Sequence, residues 1–350
     1  MPDGAPGAIA PAELTPRIFS TSGLPTARRV ELWESHNAAA LIGLAVRAPG
    51  SLDAAELNVQ LPAARLARVT GSAHSVERTP DLIRRCPADS VVVFLTLRGE
   101  ARFVTDGAAL ERRPGDALAW PTDRPFARTF ARGLEELVVT IPWAELAARS
   151  ERPRLASPVI TSFGAVRSAG WGPMADPYAR ALARIVGRAT RAERPLRPDE
   201  RTVLDLVAAI AAGPRAAPAA AHRAAARSYI EERLTDPSLG AVEVAAAAGI
   251  SERQLSRLFA ADGSSIPRHI LIRRLHLARS ILSATPPPHR GDAGGAGAEF
   301  GARPRGAAPT VAEVAARCGF TSAPYFSHAF RQHFGHRASD LRPDAIDLNR

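Results

Sequence analysis

Apolar and polar positions change period twice along the chain. From Leu24 to His36 the spacing is helical, with Val30, Leu32 and Trp33 on one face. From about residue 38 to 142 the runs are short and strand-like. Ser90–Leu97 (SVVVFLTL) is β-branched and apolar, and Gly99 follows it. Ala101–Thr105 and Ala108–Glu111 flank Asp106-Gly107, two residues that tolerate positive φ and so suit a two-residue hairpin. Pro114-Gly115-Asp116 marks a turn, Ala117–Trp120 another strand, and Leu137–Ile141 a further one closed by Pro142. Strands this short at this spacing predict a barrel or sandwich. From Pro177 the period is helical again. Tyr178–Ala192 carries Leu182, Ile185 and Val186 on one face, and Pro198–Ala212 carries Val203, Leu204, Val207 and Ile210. Residues 1–20, rich in Pro, Ala and Gly, read as a loose arm, 214–221 as a linker, and 286–309 as a low-complexity insert in an otherwise helical C-terminal part.

Within that helical part, Asp236–Gly263 reads DPSLGAVEVAAAAGISERQLSRLFAADG. Leu239, Val242, Ala245 and Ala246 form a short apolar face, Gly249 suits the left-handed residue that ends a helix, and Ser251 reads as the N-cap of the next. There Leu255, Leu258 and Phe259 face inward, and Glu252, Arg253, Gln254, Ser256 and Arg257 face outward. A short helix, a Gly-containing turn and a capped second helix make a helix-turn-helix. The pattern recurs in Thr310–Gly335, TVAEVAARCGFTSAPYFSHAFRQHFG. Val311, Val314 and Ala315 give the first face, Gly319 the turn, Thr321 or Ser322 the cap, and Phe326, Phe330 and Phe334 the second inner face. Between the copies, Ile266–Ala284 reads as a connector helix of about 28 Å. That length lets one chain present two recognition helices to major grooves about 34 Å apart.

These two motifs and their connector resemble the DNA-binding domain of the AraC/XylS family of transcription regulators. The resemblance rests on VEVAAAAGIS..QLSRLF....G, RRLHLARSIL and VAEVAARCGF....YFSHAFRQHFG, and covers about 110 residues without the insert. Where the family usually has Ser-Pro-x-x-Tyr-Arg after the last Gly, this chain has His336, Arg337 and Ala338, then Leu341 and Arg342. The inter-motif loop is also longer than the family's. Carried over by position, Arg253, Ser256 and Arg257 are base-facing candidates, with Gln254 beside them, and Arg can bond guanine O6 and N7 bidentately. The matching positions of the second motif are Ala323, Pro324, Ser327 and His328, near Tyr325. They are poor in strong donors, which implies reading of shape or phosphate. Arg331, Ser251 and Ser322 are phosphate candidates. The resemblance also implies promoter DNA and RNA polymerase as partners.

Phe94–Phe126, with its Gly, hairpin and Pro-Gly-Asp turn, resembles the cupin-like sensing half that many members of that family carry. The expected fold class is therefore α+β in two domains. A cupin-like β-barrel (21–175) with flanking helices (176–213) precedes an all-α double helix-turn-helix (222–345). The resemblance implies an effector bound in the barrel. Strand parity offers Phe94, Thr96, Arg102 and Trp120 as interior candidates, with plain core packing as the other reading. The helical pair is a candidate for a homodimer contact or for simple cover. Two rival roles for the barrel stay open: a dimerisation platform that senses nothing, and a catalytic domain.

Composition narrows the classes. The chain has 350 residues, 45 basic and 35 acidic, for a net +10, and every basic residue is Arg. With Ala so abundant, missing Lys reads as codon bias, and the excess divides as +5 before Ala221 and +5 from it onward. Ser251–Arg279 concentrates six Arg against two acids. Two cysteines cannot staple a secreted scaffold. The first twenty residues lack a signal-peptide pattern, and no run of about 18 apolar residues occurs, so a cytoplasmic protein without a membrane span is expected. Before residue 221 the only histidines are His36 and His74, neither in a His-x-His pair, so no metal, cofactor or catalytic residue is expected. Cys86 stands beside Arg84 and Arg85, and Cys318 at a tight position in the second motif.

Overall fold

The computed structural model describes residues 16–149, 155–164, 175–193, 195, 197–212, 219–284 and 309–341. Its contacts separate two units, Met1–Ser228 and Tyr229–Arg350. The first holds β1 (Arg17–Ser20), a 3-10 turn (Thr26–Arg28), α1 (Arg29–Ala40), β2 (Ala45–Arg47), β3 (Ala54–Gln60), β4 (Arg65–Gly71), β5 (His74–Arg78) and α2 (Pro80–Arg85). Then come β6 (Ser90–Arg98), β7 (Ala101–Thr105), β8 (Ala108–Arg112), β9 (Asp116–Pro121), β10 (Phe126–Phe130), β11 (Leu134–Pro142), α3 (Trp143–Ala147), β12 (Val159–Ser162), α4 (Pro177–Ala189) and α5 (Glu200–Ala212). Two antiparallel sheets result, ordered β1-β3-β4-β11-β6-β9-β12 and β2-β5-β10-β7-β8. Asp106 and Gly107 both take positive φ, as the hairpin between β7 and β8 requires.

The inner faces of the sheets share one core, including Val76, Val92, Phe94, Phe103, Leu118, Trp120, Phe126 and Val138, which α1 joins through Trp33. The two sheets differ on their outer faces. In the five-stranded sheet the outer face meets solvent, and β7 alternates buried and exposed. In the seven-stranded sheet α3, α4 and α5 cover the outer face, so β6 and β11 are buried on both sides. This explains the unbroken apolar run SVVVFLTL, which a half-exposed strand would not carry. α4 buries Tyr178, Leu182 and Val186, and α5 is buried from Leu206 to Ala212. The α+β class in two parts holds.

Two boundaries move. Residues 1–15 lie outside the described residues, but 16–20 are not a loose arm: β1 pairs residue by residue with β3. Of the expected linker, residues 214–218 lie outside the described residues, while Ala219–Ala221 begin α6 (Ala219–Glu232), which runs across the division between the units.

The second unit continues with α7 (Ala241–Ala247), α8 (Glu252–Ala261), α9 (Ile266–Ala284), α10 (Val311–Arg317), α11 (Ala323–Phe334) and a 3-10 turn (Ala338–Leu341). The expected insert, apart from Pro309, lies outside the described residues, as do 342–345. α9 has the expected 19 residues. Its C-terminal half, through Leu275, Ala278 and Leu282, shares a core with Val314, Cys318, Phe326 and Phe330.

Candidate nucleic-acid interface

Both short helix pairs of the second unit are built alike. After α7, Gly249 takes φ 70 and ends the helix. Ser251 then caps α8: its Oγ accepts from the Gln254 amide, while Gln254 Oε1 accepts from the Ser251 backbone N–H at 3.1 Å. Leu255 and Phe259 are buried beneath the helix, and Glu252, Arg253, Ser256 and Arg257 stand exposed. In the second pair Thr310 and Glu313 form the same reciprocal cap on α10, Gly319 takes φ 82, and Ser322 accepts from the Tyr325 amide to start α11. Phe326 and Phe330 are buried, and Tyr325, Ser327, His328 and Arg331 are exposed.

The structure thus sets Arg253, Ser256 and Arg257 on one open face, one helical turn apart. Gln254 is exposed too, but its carbonyl oxygen is held by the cap, so only its amide N–H groups are available to a partner. Ser251 and Ser322 likewise use their hydroxyl oxygens as caps. The basic cluster of Ser251–Arg279 divides. Arg273 pairs with Glu231 at 2.5 Å, Arg274 donates to the carbonyls of Leu234 and Asp236, and Arg279 lies over the Phe334 ring. Arg253, Arg257 and Arg268 remain on the surface. Three of the six Arg are thus engaged in contacts within the unit.

Gly319 shows why that turn has no side chain. A Cβ there would stand 2.9 Å from the Thr235 carbonyl oxygen and 3.1 Å from Arg274 Cζ. Arg274 therefore clamps the 234–236 loop against the second turn. Cys318 is buried beside it, and burial pushes its thiol up to about 11, so it stays a thiol. His276 and His333 approach to 3.4 Å between their Nε2 atoms. Burial first, then His333 and the nearby Arg273 and Arg279, hold His276 below the ordinary range.

In the first unit, Phe94, Thr96 and Trp120 are buried on the inner faces, as parity predicts. Arg102 is not. The inward positions of β7 are Ala101, Phe103 and Thr105, so Arg102 points outward, its side chain 60% exposed and 3.8 Å from Glu111. The sequence register on that strand is off by one for this residue. Among the described residues, four carboxylate and guanidinium side chains buried in the first unit escaped sequence reasoning. Arg78 is fully buried and donates to the carbonyls of Gly43, Cys86 and Thr122 and to Asp123. Arg128 and Glu136 form a bidentate pair at 2.8 and 2.7 Å, with the guanidinium 3.8 Å from the Phe94 ring centre. The fourth, Glu56, lies near His36. At one end of the sheets a cavity of about 340 Å³ is bordered by Leu41, Gln60, Arg65, Cys86, Ser90 and Thr140. None of the four effector candidates lines it. Among the described residues no three His, Cys, Asp or Glu side chains gather as a metal site, and no helix is long and apolar enough to cross a membrane.

Residues 37–237, more than half of the chain, match the family model described as the AraC-binding-like domain. The chain belongs to the AraC family. The transcriptional activator RhrA of Rhizobium meliloti (strain 1021) is 30% identical to this AraC-family chain over 119 residues, 34% of this chain and 32% of RhrA. The chain thus matches about a third of that curated relative's length. Among solved structures, the AraC-like transcriptional activator CuxR is 22% identical, covering 75% of this chain and 95% of its own, with TM-score 0.45. A transcriptional regulator with an AraC-type DNA-binding domain from Chromobacterium violaceum is 26% identical, covering 35% and 90%, with TM-score 0.27.

Proposed function

We propose that this AraC-family protein is a cytoplasmic, sequence-specific DNA-binding transcription regulator, controlled by a small effector held in its N-terminal unit and without catalytic activity. The observation that carries the reading is the repeated helix-turn-helix on one connector, with Arg253 and Arg257 exposed on the first recognition helix. Arg253, Ser256 and Arg257 read base edges, with Gln254 contributing its amide donors. In the second motif Tyr325, Ser327, His328 and Arg331 follow shape and phosphates, and Ser251 and Ser322 bring helix N-termini to the backbone. Promoter DNA is the partner, RNA polymerase a second one at the promoter, and a homodimer forms through the half-buried positions of α4 such as Ala183 and Ile185. Effector binding shifts the population of DNA-competent states.

The test is a gel-shift titration on the protein's own promoter at several salt concentrations. Replacing Arg253 and Arg257 together by Ala should lose about 1–3 kcal/mol per base contact and flatten the salt dependence if either touches phosphate. Unchanged affinity together with an unchanged salt slope would remove the assignment of the first recognition helix. Phe94, Thr96 and Trp120 remain candidates to shape the effector site from the inner face. Arg102, on the outer face, does not.

A further inference from the structure

Glu56 is a buried carboxylate whose oxygens make no close hydrogen bond, with the Asn58 amide and the His36 ring, its Nε2 3.7 Å away, as polar neighbours. It is 1% exposed, and neither of its oxygens has a hydrogen-bond donor among the described residues. Asn58, the next inward position on β3, leaves its Oδ1 unpaired as well. Its Nδ2 donates to His36 Nε2 at 3.0 Å. With the amide in this orientation and the imidazole neutral, that nitrogen accepts and has no proton for Glu56 Oε2, 3.7 Å away. The ionised Glu56 oxygens and Asn58 Oδ1 thus lie together with no donor in bonding geometry, and a buried acceptor left unmade is costly, a charged one more so.

The same inner face shows what such a carboxylate takes. Glu56 is level with Val69 on β4, Val69 with Glu136 on β11, and Glu136 with Thr96 on β6. Two strands from Glu56, Glu136 has its cation: the forked guanidinium of Arg128, lying against the rings of Phe94 and Phe130. Glu56 has the aromatic surroundings without the cation. Phe19 stacks on His36 at 4.3 Å, and Trp33 lies 6.0 Å from Phe19 and 6.2 Å from His36. Access is short, since the His36 side chain is 18% exposed where that of Glu56 is 0%. β3 also places Gln60 at the 340 Å³ cavity, with Asn58 and Glu56 one and two steps further in on the same face. The helix carrying His36 borders that cavity through Ala38 and its C-cap residue Leu41.

We propose that Glu56, Asn58 and the surrounding Phe19, Trp33 and His36 rings form a recognition site for the cationic head group, an amine or guanidinium, of a small organic ligand. The head group donates to Glu56 and to Asn58 Oδ1, His36 swings aside to admit it, and the rest of the ligand lies towards the cavity. Charge, forked hydrogen bonding and the aromatic faces all favour a cation. The assignment of this ligand as the effector rests on the regulator reading above.

The test is calorimetric titration of the full-length protein with methylguanidine, butylamine and benzamidine, beside the neutral butanol and benzamide. The cations should bind and the neutral compounds should not. Glu56→Gln should weaken cation binding about 100-fold, the loss of a bidentate charge-assisted pair. Without ligand, and above about pH 7 where the carboxyl is ionised, the same variant should melt higher than the parent, because it removes an uncompensated buried charge. A purely structural Glu56 would give a lower melting point instead. Equal binding of the neutral compounds, no cation binding, or unaltered binding by Glu56→Gln would overturn the proposal. So would a charged His36 imidazolium at neutral pH in the nitrogen NMR spectrum, since Glu56 would then already have its cation. If a neutral or anionic metabolite controls promoter affinity equally in parent and Glu56→Gln, the site falls and effector control stands. If cations bind through Glu56 but leave promoter affinity unchanged, the site stands and control by this ligand falls.

Discussion

Replacing Arg128 by Met isolates the value of a buried pair. The two side chains are 3% and 5% exposed, and both guanidinium nitrogens reach Glu136, at 2.8 and 2.7 Å. At an effective dielectric constant of about 20, charges about 4 Å apart attract by about 4 kcal/mol. The cation also loses its seat 3.8 Å from the centre of Phe94 and 4.8 Å from that of Phe130. Methionine fills part of the space but leaves the Glu136 carboxylate buried and unpaired, for a cost of about 3–5 kcal/mol. Removing both charges, as Arg128→Met with Glu136→Leu, should recover most of that loss, because no charge is then left stranded. The assay is urea unfolding followed by tryptophan fluorescence. All four Trp lie before residue 229, so the signal reports the N-terminal unit alone. A single-variant cost below about 1 kcal/mol, or a double variant as unstable as the single, would refute the reasoning.

Gly319→Ala should destabilise the helical unit by about 1–2 kcal/mol from its φ of +82 alone, and further from the 2.9 Å approach to Thr235. Gly335→Ala, at φ +79 with open space, carries the backbone penalty only, so equal losses of helical signal on heating would contradict the close approach. Stability of the N-terminal unit should depend on pH through Glu56, whose carboxyl burial pushes from 4.5 to about 7. Its folded form holds a proton that the unfolded chain releases. The contribution is therefore complete below about pH 4.5 and is lost, to the extent of about 3 kcal/mol, as pH rises through 7. His74, lowered chiefly by burial, acts in the opposite sense, losing its contribution as pH falls below 6.5. The stability difference between parent and Glu56→Gln across this window cancels His74; a difference that does not vary with pH would remove the account.

The sequence made legible those elements whose local pattern agrees with their environment. The β7–β8 hairpin follows from Asp106-Gly107, and the caps at Ser251 and Ser322 from side chains bonding amides three residues ahead. Illegible were the groups whose partners come from elsewhere in the fold. Arg78 reads as a solvated position until Asp123, 45 residues on, arrives beside it, and Arg128 needs Glu136 from the next strand. β1 was hidden because four residues show no period until β3 supplies the pairing. Arg102 was misplaced because period two fixes alternation and not which set faces the core.

β4 is held from both sides. Inside, Val69 stands between Glu56 and Glu136, and the neighbouring Arg68 reaches out to the Gly187 carbonyl of α4 while pairing with Glu135. A strand alternates its side chains, so its backbone is the shared hinge-pin of whatever occupies the two faces. A displacement of β4 at Val69 would carry the Arg68 backbone with it, and with it the bond to Gly187. β4 therefore ties the interior of the sandwich to the helix on its back.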